Sequence, residues 1–240
     1  MKVAVLSEGV HSGGASGHVP SSFRIARQLL SKLEDETTGE ILLDKLHTEI
    51  PKHRIKETQT LVSILGDEVV KEFPWENGMK PSTSDKVEGV LRRTWKPALS
   101  IVGSDGLPPT ANAGNVLRPY TTLQLSMRIP PLVDAKQAKS EIENALTKNV
   151  PYGATIDLDF EEAANGWNAP ETNPWLLDAI EKASKEYFGE TPCSISEGGT
   201  IPFMAMLGEQ FPNAQFVITG VLGPRSNTHG PNEFLHIPYA

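Results

Sequence analysis

Residues 122–129, Thr-Leu-Gln-Leu-Ser-Met-Arg-Ile, alternate between polar and apolar side chains. A period of two predicts a β-strand with one face on a core and the other face polar. Residues 154–160 repeat this alternation downstream. Between the two strands, Asp134 stands where it can cap a helix with Ala138 and Leu146 on its apolar face. This stretch therefore predicts a strand–helix–strand unit.

The chain upstream predicts the other half of the same sheet. Lys2–Ser7 and Ala98–Val102 are short apolar strands, and residues 44–93 form a charged, mixed insertion. The order βα, insertion, ββαβ predicts an α/β chain that begins with a ferredoxin-like module, in which two helices cover one face of an antiparallel sheet. Its first helix, within residues 20–34, has apolar residues at helical spacing: Phe23, Ala26, Leu30 and Leu33.

The remainder of the chain follows a different pattern. A helix is expected to start at Asn173 and to end before Gly189. A short strand near Cys193–Ser196, a helix reaching Gly208 and an apolar run at Gln215–Val221 follow. A continuously apolar strand is typical of a strand buried on both faces. This β–α–β piece predicts one edge of a larger α/β domain.

Composition excludes several classes of protein. The 240 residues (26.1 kDa) carry 30 acidic and 22 basic side chains, a formal charge of −8 and a pI near 5.3. No Lys/Arg run exceeds two residues, which argues against nucleic-acid binding. A single cysteine, Cys193, excludes an internal disulfide framework. The first residues reach Glu8 too soon for a signal peptide, and no apolar run is long enough to span a membrane. We expect a soluble, cytoplasmic protein without nucleic-acid or membrane partners.

Two side chains of the first part are candidates for chemistry. His11 stands in a glycine-rich loop between a strand and a helix, where an imidazole can donate a hydrogen bond to a developing oxyanion. Arg128 lies on the polar face of the clearest strand, where its guanidinium can bind a carboxylate with two hydrogen bonds. The alternative without function is that His11 is an ordinary loop histidine and that Arg128 is a solvated arginine on a strand.

Two loops of the second part are also candidates. In Glu197-Gly198-Gly199-Thr200, glycine allows the backbone to approach a ligand at the start of a helix. His229 is a candidate metal ligand that Glu233 could orient. A hydrolytic zinc centre needs several such ligands, and no His-x-Asp, His-x-His or His-Glu-x-x-His occurs. A nucleophilic pair of Ser12 and His18 is a weaker hypothesis, because no Gly-x-Ser-x-Gly elbow surrounds the serine.

Taken together, the loops resemble those of the co-catalytic zinc peptidase and deacylase family, which includes carnosine dipeptidase, acetylornithine deacetylase and succinyl-diaminopimelate desuccinylase. Four motifs match in order: Gly9-Val10-His11-Ser12-Gly13; Gly114-Asn115-Val116-Leu117 with Arg128 thirteen positions after Asn115; Glu197-Gly198-Gly199-Thr200-Ile201-Pro202; and Gly223-Pro224 followed by His229-x-x-Asn232-Glu233. The third motif is more similar to the dipeptidase branch, whereas Asn115 is more similar to the deacylases.

The resemblance implies a division into domains. Residues 1–165 are similar to the lid domain through which the family forms homodimers, and residues 166–240 are similar to a C-terminal segment of the catalytic domain. The His-x-Asp and Glu-Glu motifs of the family's N-terminal catalytic half have no counterpart here. The expected function is therefore part of a zinc-dependent hydrolase of dipeptides or N-acyl amino acids, and we expect this chain to be inactive alone.

The resemblance also implies roles for single residues. His11 is similar to a lid histidine that stabilises the oxyanion in the partner's active site, and Asn115 is similar to another lid group contributed across the dimer. Arg128, Thr200 and the Gly198-Gly199 backbone resemble the substrate-carboxylate clamp. His229 resembles a ligand of one of two zinc ions, with no complete zinc site expected in this chain. The alternative is a stand-alone dimerisation or binding module that has lost catalysis.

Overall fold

The computed structural model describes residues 1–197, 202–220, 226–227 and 230–237. Contacts divide them into two compact units. One, the sheet unit, is built mainly from Met1–Ile50 and Arg92–Trp167, and the other, the helical unit, from Pro51–Leu91, Asn168–Ser196 and described residues from Phe203 onward. The strands are β1 (Lys2–Ala4), β2 (Val10–His11), β3 (Ala98–Asp105), β4 (Val116–Leu117), β5 (Tyr120–Arg128) and β6 (Thr155–Asp157). The helices are α1 (Ser12–Ala15), α2 (Ser22–Leu30), α3 (Lys52–Leu65), α4 (Glu68–Lys71), α5 (Lys86–Thr94), α6 (Ala135–Thr147), α7 (Pro174–Phe188) and α8 (Pro202–Gln210).

The main sheet confirms the predicted βαββαβ module. Its strand order is β3-β5-β1-β6, and every neighbouring pair is antiparallel. Counted by their order in the module, these are strands 2-3-1-4, which is the ferredoxin-like arrangement. Val3 pairs with Thr121 on one side and with Ile156 on the other, so the first strand of the chain lies at the centre of the sheet. The short strands β2 and β4 form a separate two-stranded ribbon.

Helices α2 and α6 pack on one face of this sheet. Their buried side chains share a cluster with residues of β1 and β5: Val3, Ile25, Ala26, Leu29, Leu33, Leu123 and Leu146. The predicted cap of α6 is confirmed, because the Asp134 side chain accepts a hydrogen bond from the Gln137 amide. Lys32 binds the other end of α6, where its Nζ donates to the carbonyl oxygen of Lys148 over 2.6 Å.

The predicted inner face of the first helix was partly wrong. Ile25 and Leu29 are fully buried, whereas Phe23 is 42% exposed. Ala26 and Leu33 of the predicted set are fully buried, and the buried stripe runs through Ile25 and Leu29 rather than through Phe23. The Ser22 hydroxyl lies on the same buried face, in the N-terminal turn, and forms a buried hydrogen bond of 2.8 Å with the Thr121 hydroxyl of β5.

The helical unit has a small core of its own. Helices α3 and α4 and the start of α5 bury Leu61, Val69 and Val90 against one another. The predicted helix after Asn173 is confirmed as α7, which ends at Gly189 in the left-handed conformation (φ 75°).

Two predicted strands of this unit are absent from the described residues. Neither Cys193–Ser196 nor the described part of Gln215–Val221 is extended in a sheet, and Val217 and Ile218 are about 60% exposed. An internal strand needs a hydrogen-bonded neighbour on each side. The described residues of the helical unit contain no other strand that could provide one.

Candidate functional site

A small hairpin-like ribbon brings two of the predicted site residues together. His11 of β2 pairs with Val116 of β4, and the Ser12 amide donates a hydrogen bond of 2.9 Å to the Asn115 carbonyl oxygen. His11 and Asn115 are both exposed. The ribbon therefore holds His11 and Asn115 on neighbouring backbone segments at one end of the sheet unit.

Glycine shapes the ribbon at two positions. A Cβ atom on Gly13 would lie 2.7 Å from His11 Cε1, and one on Gly9 would lie 2.8 Å from Val116 Cγ1. Both distances are too short for a real contact, so the imidazole lies over Gly13 only because that residue has no side chain. The sequence did not single out this positioning role, although the Gly13-Gly14 pair that begins two residues after His11 was a signal for it.

Arg128 lies far from this ribbon within the same chain. Arg128 is exposed and is the last residue of β5. Strand β4 of the ribbon comes just before Tyr120, the first residue of β5, so the ribbon lies at the opposite end of β5 from Arg128. Eight residue steps along a strand cover about 27 Å. An arginine side chain cannot span that distance, so the structure does not bring Arg128 together with His11 and Asn115.

The other predicted site residues fall outside the described part of the chain. They are Gly198, Gly199, Thr200 and His229. Within the described ranges, no three His, Cys, Asp or Glu side chains gather closely enough to hold a metal ion. These described residues thus do not form a zinc site by themselves.

The alternative nucleophilic pair receives no support from the described geometry. Both Ser12 and His18 are described, and no hydrogen bond joins the Ser12 hydroxyl to the His18 imidazole. The backbone amide of His18 donates to the Ala15 carbonyl oxygen over 3.1 Å. Across the described helices, none combines the length and the apolar character that a membrane crossing requires.

Residues 1–154 match the family model described as the peptidase dimerisation domain of the M20 peptidases. The chain belongs to the M20 peptidase family. Two curated relatives are a cysteinylglycine-S-conjugate dipeptidase of Corynebacterium striatum, 23% identical over all of this chain and 52% of its own length, and a Cys-Gly metallodipeptidase of Saccharomyces cerevisiae, 28% identical over 82% of this chain and 41% of its own length. This M20 chain thus spans about half the length of the curated relatives it matches.

Solved M20 structures agree on the fold. The yeast dipeptidase Dug1p matches with a TM-score of 0.71 at 20% identity, over 99% of this chain and 50% of its own. An M20 metallo-carboxypeptidase of Sulfolobus solfataricus matches with a TM-score of 0.69 at 17% identity, over 99% of this chain and 54% of its own.

Proposed function

We propose that this M20 chain supplies the dimerisation lid and a C-terminal catalytic segment of a zinc metallopeptidase that cleaves dipeptides or N-acyl amino acids, and that the chain is inactive alone. The observation that carries the proposal is the position of His11 and Asn115 at one end of the sheet unit and of Arg128 at the other. Groups about 27 Å apart cannot bind one dipeptide in a single subunit. A two-fold dimer places the ribbon of each subunit at the site of its partner.

Each residue then has a distinct task. Arg128 binds the substrate carboxylate of its own subunit's site, together with the Gly198-Gly199 backbone and Thr200. The partner's ribbon contributes the His11 imidazole, which donates a hydrogen bond to the oxyanion that develops at the scissile carbonyl. Asn115 contributes a second polar group from the same ribbon. His229 is proposed as one zinc ligand, and the rest of the ligand set is not found among the described residues.

The proposal includes a boundary between two domains. Residues 1–165 form the lid with an insertion at about 44–93, and residues 166–240 form the catalytic segment. The exposure of the second segment supports this division, because α7 has no buried residue and Trp175 and Leu177 are 63% and 51% exposed. Apolar faces of this kind are typical of a segment that packs on further parts of a domain.

Mixed dimers test whether the site is shared between subunits. In the whole gene product, His11→Asn and Arg128→Met should each lower kcat/KM for a dipeptide by at least about 100-fold. The two variants are mixed in equal amounts, unfolded together and then refolded. The mixture should recover about a quarter of the wild-type activity, because half of the dimers are mixed and each mixed dimer has one intact site. Recovery that does not exceed that of the separate variants would show that His11 and Arg128 act in the same subunit.

Two glycine variants test the placement of the imidazole. Gly13→Ala should displace the His11 ring and lower kcat, since its Cβ would lie 2.7 Å from His11 Cε1. Gly14→Ala is the matched control, because no atom lies within 4 Å of the added Cβ. The His11 Cε1–H resonance in the 240-residue chain reports the displacement without an activity assay. Equal shifts in both variants would contradict the positioning role of Gly13.

The long free edge of β3 is the proposed dimer contact. This strand has eight residues, lies at the end of the strand order, and exposes Ile101 and Val102 by 45% and 59%. An unpaired edge with apolar side chains is suited to pairing with a second chain. Helix α2 packs on the central strands β1 and β5, away from this edge.

Light scattering tests the dimer. The chain should have the mass of a dimer at tens of micromolar, and Ile101→Lys with Val102→Lys should shift it toward the monomer. Leu132→Lys serves as the control, since Leu132 is 50% exposed in the same unit but lies outside β3. A monomeric wild-type chain would refute the dimer, and equal effects of both changes would refute the β3 contact.

A stand-alone dimerisation module is the second candidate. The match to the dimerisation-domain model covers residues 1–154, and the sheet unit has a core of its own. The two candidates differ in one assay. Dipeptide turnover by the whole gene product with added zinc supports the peptidase, whereas a dimer without turnover supports the module.

A further inference from the structure

The segment that leads to Asn115 is an exposed loop. It runs from Gly106, directly after β3, to Asn115, directly before β4, and we call it the β3–β4 loop. Residues 109–114 are exposed, and the amides of Asn112 and Ala113 donate to carbonyl groups of the same loop. Because these hydrogen bonds are local, the position of Asn115 depends on how the two ends of the loop are held.

Backbone hydrogen bonds hold the chain on both sides of the second end of the loop. The Asn115 carbonyl oxygen accepts from the Ser12 amide over 2.9 Å, and β4 pairs with β2. Two residues after β4, the Pro119 carbonyl oxygen accepts from the Val5 amide over 2.8 Å. Between these backbone bonds, Arg118 contributes a hydrogen bond from its side chain. A substitution at Arg118 can therefore remove one anchor and leave the backbone bonds intact.

The Arg118 side chain joins the two ends of the loop. Its Nε donates a hydrogen bond of 2.8 Å to the Gly106 carbonyl oxygen, and the residue is half-buried. Because a proline follows it, Arg118 is restricted to extended backbone conformations, which limits the directions that its side chain can take.

Gly106 provides a fixed acceptor for this bond. Its φ is 91°, a conformation that favours glycine, and an added Cβ would lie 2.5 Å from the Tyr120 carbonyl oxygen at the start of β5. The glycine therefore packs directly on the sheet backbone where the loop leaves the sheet. The Arg118 bond ties the β4 end of the loop to this point.

We propose that Arg118 is a positioning residue for Asn115, because its Nε–H closes the β3–β4 loop on Gly106. This role rests on the proposed function, in which Asn115 acts in the partner's active site. A loop without this bond populates more conformations, so a smaller fraction of the molecules presents the Asn115 side chain in the productive position. Loss of the bond should therefore lower kcat.

The charge of the guanidinium is the alternative basis for a role of Arg118. In that case, its Nη1 and Nη2 groups would bind an anionic group of the substrate. Two substitutions separate the donor from the charge. Glutamine is uncharged and carries an N–H donor at Nε2, the same number of bonds from Cα as the Nε of arginine. Methionine is also uncharged, but it carries the Cε methyl group at that position.

Hydrogen exchange in the 240-residue chain tests the anchor without an activity assay. Arg118→Met should speed exchange of the Ser12 amide by at least about fivefold relative to the Ala138 amide, whereas Arg118→Gln should leave this ratio unchanged. The Ala138 amide is the control for a general loss of stability, because it donates to the Asp134 carbonyl oxygen within α6 of the same unit. An unchanged ratio in Arg118→Met, or the same rise in both variants, would refute the anchor.

Kinetics of the whole gene product test the link to Asn115. Arg118→Met should lower kcat for a dipeptide by about tenfold and change KM by less than about twofold, and Arg118→Gln should stay within about twofold of the wild type. In an Asn115→Ala background, Arg118→Met should cause no further loss, because Arg118 acts through Asn115. A loss of the same size in that background would overturn the proposal. An equal loss in Arg118→Gln and Arg118→Met would also overturn it, and would assign Arg118 to anion binding.

The two measurements separate a failure of this proposal from a failure of the proposed function. An unchanged kcat in Asn115→Ala would refute the catalytic role of Asn115, and with it the positioning role of Arg118, whatever the hydrogen exchange shows. A lowered kcat in Asn115→Ala together with an unchanged Ser12 exchange ratio in Arg118→Met would support the proposed function and refute the anchor alone.

Discussion

The sheet unit and the helical unit place their apolar side chains differently. In the sheet unit, α2 contributes Ile25, Ala26 and Leu29 to a cluster in which each is fully buried. In the helical unit, α7 is also amphipathic, though less strongly, yet none of its residues is buried. Periodicity therefore reports that a helix has an apolar face, and it does not report whether the described chain covers that face.

Core truncation should produce the largest difference between the units. Leu29→Ala should lower the free energy of unfolding by about 3 kcal/mol, because it leaves a cavity in a fully packed site. Leu177→Ala, at a residue 51% exposed, should cost at most about 0.5 kcal/mol. Urea unfolding of the two variants measures both values. A cost at Leu177 that matches Leu29 would mean that α7 is covered in solution.

The ends of two helices provide a smaller contrast. Lys32 donates to carbonyl groups at the end of α6 from a distant part of the chain, whereas α7 ends locally at Gly189 with φ 75°. Lys32→Met should cost about 1 kcal/mol and speed hydrogen exchange throughout the sheet unit.

The matching change in the helical unit is Gly189→Ala. It should also cost about 1 kcal/mol, because alanine is strained in the left-handed conformation. Its effect on hydrogen exchange should stay within α7, since the Gly189 amide caps that helix through Lys185 and an added Cβ would meet no atom within 4 Å. Loss of protection in the sheet unit as well would contradict the distinction between a long-range and a local cap.

The smallest predicted difference between the two units concerns the pKa values of two aspartates, Asp35 and Asp67. Hydrogen bonds from the Thr38 amide, the Thr38 hydroxyl and the Thr37 amide lower the pKa of Asp35 in the sheet unit. In the helical unit, a hydrogen bond from Lys86 and then the charges of Lys86 and Lys71 lower the pKa of Asp67. Each carboxylate stabilises the fold above its unfolded pKa, and the contribution is lost as pH falls through the folded value.

Salt should separate these two causes. Raising the salt concentration to about 1 M shortens the Debye length to about 3 Å, so the pKa of Asp67 should rise toward its ordinary value while that of Asp35 changes less. Carbon-13 NMR titration of both carboxyl groups at low and high salt makes the measurement. A larger salt response at Asp35 would mean that charge, rather than neutral hydrogen bonds, lowers its pKa.

Local sequence patterns predicted most of the sheet unit. Alternation in residues 122–129 and the Asp134 cap matched β5 and α6, because each pattern depends on neighbours close in sequence. The same reasoning failed at the described part of Gln215–Val221, where an apolar run predicted a buried strand but the described residues of the helical unit include no strand to pair with it. Burial of a strand is a property of its neighbours in space, and a single run of residues cannot report them.

For the candidate site, the sequence by itself determined which residue types were available and in what order. His11, Asn115 and Arg128 were all identified from motifs and from the polar face of one strand. Only the tertiary structure decided their arrangement: the β2–β4 register joins His11 to the Asn115 loop, and the length of β5 separates Arg128 from both. A strand register joins residues that are distant in sequence through backbone hydrogen bonds, which form whatever the side chains are. No local sequence pattern therefore encodes the register.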